Sequence, residues 1–300
     1  MRWLSYYISN PIAFIYWCMT KIPQVIPAKL YIKFEFKVKM WVWPDLGKPT
    51  LFNEKLQRLK LHDHNPKYPK LVDKYLVKDY ITKTIWEEYI IPTLWVRDKF
   101  DDIDFDKLPN QFVLKCNHDS GSVIVIRDKK FFNKKEAKKK LEKALKLNYY
   151  NEWKQRVYKN IEPKIIAEKY MEDKKYPSIR DYKFFCFNGK PKLMYLSEWL
   201  EDHSTAWMNF YDMDFKLSDC KRADYRLIKW EVEKPKTFEQ MKDLATILSK
   251  DIPHVRVDFY EINWHIYFWE MTFYTNSWYV PFEDVEWDKK LWELIKLPNE

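Results

Sequence analysis

The chain has 300 residues, 53 Lys and Arg against 44 Asp and Glu, a net charge of +9, and 46% hydrophobic residues. That balance excludes a disordered polypeptide and is ample for one large or two moderate domains, with an anionic partner such as a nucleotide, an anionic polymer, nucleic acid or inner-leaflet lipid. Four scattered cysteines, Cys18, Cys116, Cys186 and Cys220, exclude a disulfide framework and a cysteine metal site, as suits a reducing cytoplasm.

Residues 3–20 carry no formal charge. Ser5, Ser9, Asn10 and Pro11 make them a poor membrane span, and no signal-peptide cleavage pattern is present. A docked or interfacial segment is expected, with peripheral membrane contact as the second reading. Residues 21–50 are mixed apolar and basic and end in a proline-bounded loop. A short helix is expected at 53–61, capped by Asn53, and another at 70–81 with Leu71, Tyr75, Val77 and Ile81 toward the core. A short strand at 90–96 and an acidic segment at 100–108 follow. Residues 111–116 read as a strand, 117–122 as a polar loop and 123–126 as the next strand. The helix at 134–147 is strongly basic, which is the mark of a solvated face. A strand at 165–170 precedes a hairpin, 181–187 with 191–196, around Asn188-Gly189. Another strand begins near Asn209. The helix at 236–251 sets Phe238, Met241, Leu244, Ile247 and Leu248 on one side.

Residues 256–260 and 267–272 alternate as two neighbouring antiparallel strands, which puts Asp258 and Glu270 on one face. Paired carboxylates suit Mg²⁺ bearing nucleotide phosphates, because that ion is hard and prefers oxygen. For two isolated acids, a surface salt-bridge pair is the preferred reading. Arg256 is expected on the opposite strand face, in a structural salt bridge. A helix from about Asp288 to Ile295 closes the chain.

Only three glycines, Gly47, Gly121 and Gly189, stand against fifteen tryptophans. An average composition of about 7% Gly would give roughly twenty. Asn263-Trp264 fills the hairpin slot where Asn-Gly is the strongest turn signal. Trp86, Trp95, Trp269, Trp278 and Trp292 also stand where a small residue reads more naturally. A source whose UGA codons mean glycine accounts for this; an unusually aromatic protein is the alternative.

Several stretches, in order, carry a resemblance: Phe52-Asn-Glu-Lys-Leu-Gln57, Leu71-Val-Asp-Lys-Tyr75, Leu108-Pro-Asn-Gln-Phe-Val-Leu-Lys-Cys-Asn-His118, Ile166-Ala-Glu-Lys-Tyr170, Asp181-Tyr-Lys-Phe-Phe-Cys-Phe-Asn-Gly-Lys190 and Val255-Arg-Val-Asp-Phe-Tyr260. Together they resemble the TupA-like ATP-grasp proteins of cell-surface polysaccharide gene clusters, within the ATP-grasp superfamily. The resemblance implies an α+β fold of two lobes, with mainly antiparallel sheets clamping a nucleotide, plus a helical N-terminal segment. It divides the chain into an N-terminal segment 1–50, a nucleotide-binding lobe 51–170, and a C-terminal lobe 171–300 with the metal carboxylates.

For single residues the resemblance implies the following. Lys115 reaches the α-phosphate region, and Asn117, His118, Ser120, Gly121 and Ser122 fold over the triphosphate; His118 is equally a plain loop histidine. Glu168, Lys169, Tyr170 and Met171 form the adenine hinge, with Glu168 on the amino group. Asp173 is a ribose contact or, in the preferred reading, a surface carboxylate. Lys183 stabilises phosphate charge in the transition state, so Lys183 and Lys115 are the catalytic pair. Lys74 approaches phosphate or covers a helix surface. Asp258 and Glu270 hold Mg²⁺, with Thr272 where many relatives place an asparagine ligand, and Asn276 and Ser277 lie in the next loop. The implied reaction activates a carboxylate with ATP as an acyl-phosphate, for coupling to an amine or other nucleophile. Its substrate is a sugar acid or amino acid destined for a surface polymer, and the setting is cytoplasmic, with a place peripheral to the inner face of the membrane as the second reading. The rival is a glycosyltransferase of the same pathway using Asp212-Met213-Asp214; a nucleic-acid partner has no motif to support it.

Overall fold

The computed structural model describes residues 10–176, 178–198, 206–222 and 224–297. Two antiparallel-rich sheets organise it. The smaller has the order β1 (Thr93–Arg97), β4 (Ile165–Lys169), β2 (Phe112–Cys116), β3 (Ile124–Ile126). The larger has the order β10 (His265–Thr272), β9 (His254–Ile262), β5 (Asp181–Phe187), β6 (Lys190–Glu198), β7 (Trp207–Tyr211), β8 (Arg226–Leu227). This is the two-lobed α+β arrangement that the sequence implies. A backbone bridge between Ile90 and Phe268 links the segment before the small sheet to the large one.

Helices flank the sheets: α1 (Pro11–Met19), α2 (Ala28–Met40), α3 (Phe52–His62), α4 (Tyr68–Val72), α5 (Val77–Ile85), α6 (Lys134–Leu145), α7 (Tyr149–Trp153), α8 (Phe238–Leu248) and α9 (Val285–Leu294). The segment expected to be merely mixed, residues 21–50, thus contains α2, which buries Tyr31, Ile32 and Phe36. Helices α3 to α5 pack their apolar faces into the core of the large sheet, through Phe52, Leu56, Leu71, Val77 and Ile81. A second core under the small sheet joins Phe112, Leu114 and Cys116 to Ala137 and Leu141 of α6. Burial of such apolar side chains contributes about 1.5–3 kcal/mol each.

Three local expectations are corrected. Asn53 is not a cap: α3 begins one residue earlier, and Asn53 is fully buried inside it. The Glu54 carboxylate caps instead, accepting N–H bonds from Asp45, Thr50 and Leu51 at 2.9, 2.8 and 3.1 Å. The helix expected over 70–81 is broken at Asp73, whose Oδ1 accepts from the amides of Tyr75 and Leu76. That local bond competes with the helical ladder and leaves Tyr75 exposed rather than in the core. Ile247 of α8 is likewise exposed.

Candidate active site

The break after α4 points Lys74 at the small sheet. Its backbone N–H bonds the Asn117 carbonyl at 3.0 Å, and its ammonium donates to the Asp119 carbonyl. The same ammonium lies 3.9 Å from the Glu270 carboxylate. Lys74 is therefore buried at the seam between the sheets, not on a helix surface.

On the small sheet, Lys115 and Glu168 stand on neighbouring strands β2 and β4, both buried. The Lys115 ammonium pairs with Glu168 Oε2 at 2.5 Å, and Lys78 of α5 takes Oε1 at 2.5 Å. Lys78 also bonds the Ile91 carbonyl and the Thr93 hydroxyl. Burial pushes Lys115 down to about 8, with Glu168 opposing and Lys78 and Lys74 assisting. Burial alone would raise the Glu168 carboxyl, but Lys115 and Lys78 outweigh it and hold it below its ordinary value. Lys78 was missed in the sequence; its four-residue spacing from Lys74 was the one available signal.

The loop after β2 has a braced root. The Asn117 amide donates to Asp73 Oδ2 at 2.7 Å and to the Glu162 carbonyl at 2.9 Å, and its Oδ1 accepts from Lys164 N at 2.7 Å. His118 is buried, 3.3 Å from Asn117 Oδ1, and burial lowers its pKa. Ser122 donates to Asp119 and accepts from Cys116 N. Only the tip is open. Ser120 N bonds the Tyr149 hydroxyl, and Gly121, at φ +125°, has nothing within 4 Å of where a Cβ would be. Beyond β4, Lys169 is exposed with its N–H on the Pro92 carbonyl, while Tyr170 and Met171 are half-buried. Asp173 accepts from Asn263 N, Lys175 N and Tyr176 N. It organises a turn, in line with the surface reading.

The large sheet carries the acids. Asp258 in β9 is paired in register with Glu270 of β10 on one side and Lys183 of β5 on the other. Asp258 is fully buried. Lys183 donates to it at 2.8 Å and also contacts Asp181. Those two carboxylates outweigh the burial penalty on Lys183 and raise its pKa, whereas burial is the first cause raising Asp181. Arg256 does not point away. Residues two apart in a strand share a face, and its guanidinium reaches both Asp258 oxygens at 2.7 and 2.6 Å and Glu270 at 2.9 Å. It also donates to the hydroxyls of Thr272, Thr275 and Tyr195. Thr272 in turn donates to Glu270 at 2.9 Å. Ser277 is buried and meets Gln155 and Lys60 rather than the acids; the Asn276 side chain lies outside the described residues.

Burial alone would raise the Glu270 carboxyl, but Lys74, Arg256 and Lys183 hold it down from 4.5 to about 2. A carboxylate depressed on folding adds stability that is complete above its unfolded value and lost as pH falls through its folded value. The stability gap between the chain and Glu270→Gln is therefore expected to be constant above pH 5 and to shrink steadily toward pH 2, as read by urea unfolding at each pH.

Asp258, Glu270 and the Thr272 hydroxyl are a hard, all-oxygen donor set of the kind that suits Mg²⁺, and Arg256 is bonded to all three. Among the described residues, no group of three or more His, Cys, Asp or Glu forms a self-sufficient metal cage. Asp212 of the rival Asp-x-Asp accepts from the amides of Asp214 and Lys216 and so closes a turn after β7. Between the two sheets, Lys74, Lys78, Ile90, Lys115, Glu168 and Trp269 surround a cavity of about 10 Å³, which is room for a single water. The Trp269 ring lies 4.0 Å from the Lys115 ammonium and fills the space in front of it.

The family described as TupA-like ATPgrasp matches residues 54–296. Among solved structures, the chain is similar to a D-alanine–D-alanine ligase of Bacillus anthracis complexed with ATP, at 17% identity and a TM-score of 0.42, covering 75% of this chain and 64% of that one. It is also similar to a RimK domain ATP-grasp protein of Sphaerobacter thermophilus, at 9% identity and a TM-score of 0.38, covering 75% and 62%. A third is the D-cycloserine synthetase DcsG, at 16% identity and a TM-score of 0.38, covering 74% and 70%. The chain spans 56%, 64% and 61% of the lengths of three D-alanine–D-alanine ligases it matches. No curated protein matches it.

Proposed function

Because the chain belongs to the TupA-like ATP-grasp family, we propose that it is an ATP-dependent ligase that activates a carboxylate and couples it to an amine or other nucleophile. The observation that carries this reading is Asp258, set in register between Glu270 and Lys183 and facing a second sheet that bears Lys115. A substrate carboxylate oxygen attacks the γ-phosphorus of ATP as the bond to ADP breaks. The nucleophile then attacks the acyl carbon, and phosphate leaves with the electron pair while the nucleophile gives up its proton. The protein's part is positioning and charge neutralisation. Lys115 and Lys74 would hold phosphate oxygens, and Lys183 would meet the charge that develops on transfer. At the open tip the Gly121 backbone N–H would meet phosphate, and residues 168–171 would border the adenine seat. Asp258, Glu270 and Thr272 would hold Mg²⁺, which supplies charge neutralisation of the phosphates.

The Trp269 ring fills the space in front of Lys115, so the test uses Trp269→Gly. Calorimetric titration with ATP is expected to show binding that requires Mg²⁺ and disappears when Glu270→Gln is added. Binding that ignores both Mg²⁺ and Glu270→Gln would sink this reading. A sugar acid or amino acid of a surface polymer fits as carboxylate substrate by the family's setting.

We further propose that α1 and α2 rest on an anionic lipid surface. No helix among the described residues is long and apolar enough to cross a membrane. Yet Phe14, Ile15, Trp17, Ile22, Val25 and Leu30 are exposed, interspersed with Lys21, Lys29 and Lys33. The single acid of residues 10–44, Glu35, is fully buried on Tyr16 and Lys39. Such an apolar and basic face suits anionic headgroups. Vesicles containing phosphatidylserine are expected to sediment the protein at low salt, and Phe14→Ser with Ile22→Ser to abolish this. Equal sedimentation with neutral vesicles would refute it.

A further inference from the structure

We infer that positions 41, 86, 264 and 269 are glycine in the natural protein, and that its gene uses UGA as a glycine codon. Backbone conformation carries it at positions 41, 86 and 264, independently of the ATP reading. Among the described residues, nine that are not glycine have positive φ, and three of the nine are Trp41, Trp86 and Trp264. Tryptophan is only 15 of 300 residues, and its bulky side chain is among the least suited to that region.

Each site calls for glycine in its own way. Trp86 lies at φ 80°, ψ 159°, between α5 and the following turn, a region that essentially only glycine occupies. Trp41 ends α2 at φ 63°, ψ 2°, the left-handed stop at which helices usually place glycine. Asn263 and Trp264, at φ 52° and 66°, form the two-residue turn joining Ile262 to His265. The turn joining Phe187 to Lys190 has Asn188 and Gly189 at φ 48° and 77°. The molecule thus builds the same turn twice, once with the Asn-Gly that it demands and once with Asn-Trp. Packing gives little in return for the strain, since the three rings are 68%, 70% and 51% exposed.

Position 269 adds a different observation. The β9–β10 register slips between Phe268 and Glu270, which makes Trp269 the bulged residue. Glycine in a strand marks bulges and places where a ligand approaches the backbone closely. Here the ring instead occupies the space in front of Lys115 and leaves only the 10 Å³ cavity. Glycine would open it. The geometry does not extend the inference to Trp292, whose ring donates to the Pro49 carbonyl at 2.8 Å and lies under Lys55.

The test reads the codons at 86 and 264 and sequences the matching peptides of the natural protein by mass spectrometry. UGA codons with glycine-bearing peptides are expected. UGG codons, or tryptophan in those peptides, would overturn the inference. On the recombinant chain, Trp86→Gly with Trp264→Gly is expected to melt higher, on the order of a few degrees per site, whereas Trp86→Ala with Trp264→Ala keeps the Cβ and gains less. Equal melting of the two pairs would count against it. Glycine-bearing peptides together with a Trp269→Gly chain that ignores ATP would leave the inference intact and refute the nucleotide function.

Discussion

Asp258→Asn is expected to cost about 3–5 kcal/mol of folding stability. Asp258 is fully buried, and Arg256 and Lys183, both buried, converge on it. The amide would keep the shape but leave the Arg256 guanidinium with Glu270 and the Lys183 ammonium with Asp181, one carboxylate short between them in a medium that solvates charge poorly. Urea unfolding of Asp258→Asn, Arg256→Met and the double variant measures the coupling directly. The double variant should recover part of the loss, because removing both partners is far cheaper than orphaning one. A single-variant cost below about 1 kcal/mol, as exposed pairs show, would mean that water reaches this network and that the acids are not held rigidly.

In the Trp269→Gly background, Lys183→Met is expected to lower the turnover of the proposed ATP-dependent ligation by about 10²–10³ while the chain stays folded. Asp258 keeps Arg256 as a bidentate partner after this change. Asp181, whose carboxyl burial already pushes upward, can take up a proton instead of remaining a bare anion. The diagnostic is a fall in kcat with the ATP affinity largely kept, since an interaction realised only in the transition state shows itself that way. Unchanged kcat with lower stability would make Lys183 a structural member of the ion-pair network and remove it from the chemistry.

The strands were the most legible part of the sequence, because alternation and Asn188-Gly189 fix β5 to its end residues without help from elsewhere. The same alternation places Asp258 and Glu270 side by side. Applied correctly, it also places Arg256 beside them, since residues 256 and 258 are two apart. Helix α2 was hidden because its apolar positions are interleaved with lysines and prolines precede it. The break at Asp73 was hidden for a different reason. It is held from outside by Asn117, 44 residues away, and a helical period carries no trace of such a bond. Lys78 is the clearest case of a tertiary fact. Its meaning comes from Glu168, 90 residues on, and the four-residue spacing from Lys74 does not reveal that partner.

The bracing of Asn117 has a thermodynamic consequence for any anion that settles on the loop after β2. Fixing a residue's backbone costs about 1–2 kcal/mol of conformational entropy. A phosphate-covering loop of six free residues would charge that cost to every binding event. Here Asn117 is tied by backbone and side chain to Lys74, Asp73, Glu162 and Lys164, and Ser122 is locked to Asp119 and Cys116. Folding has already ordered the root, Tyr149 holds Ser120, and the remaining freedom is concentrated at Gly121. A loop with few glycines is then no handicap, because rigidity acquired during folding is entropy that the ligand does not have to remove.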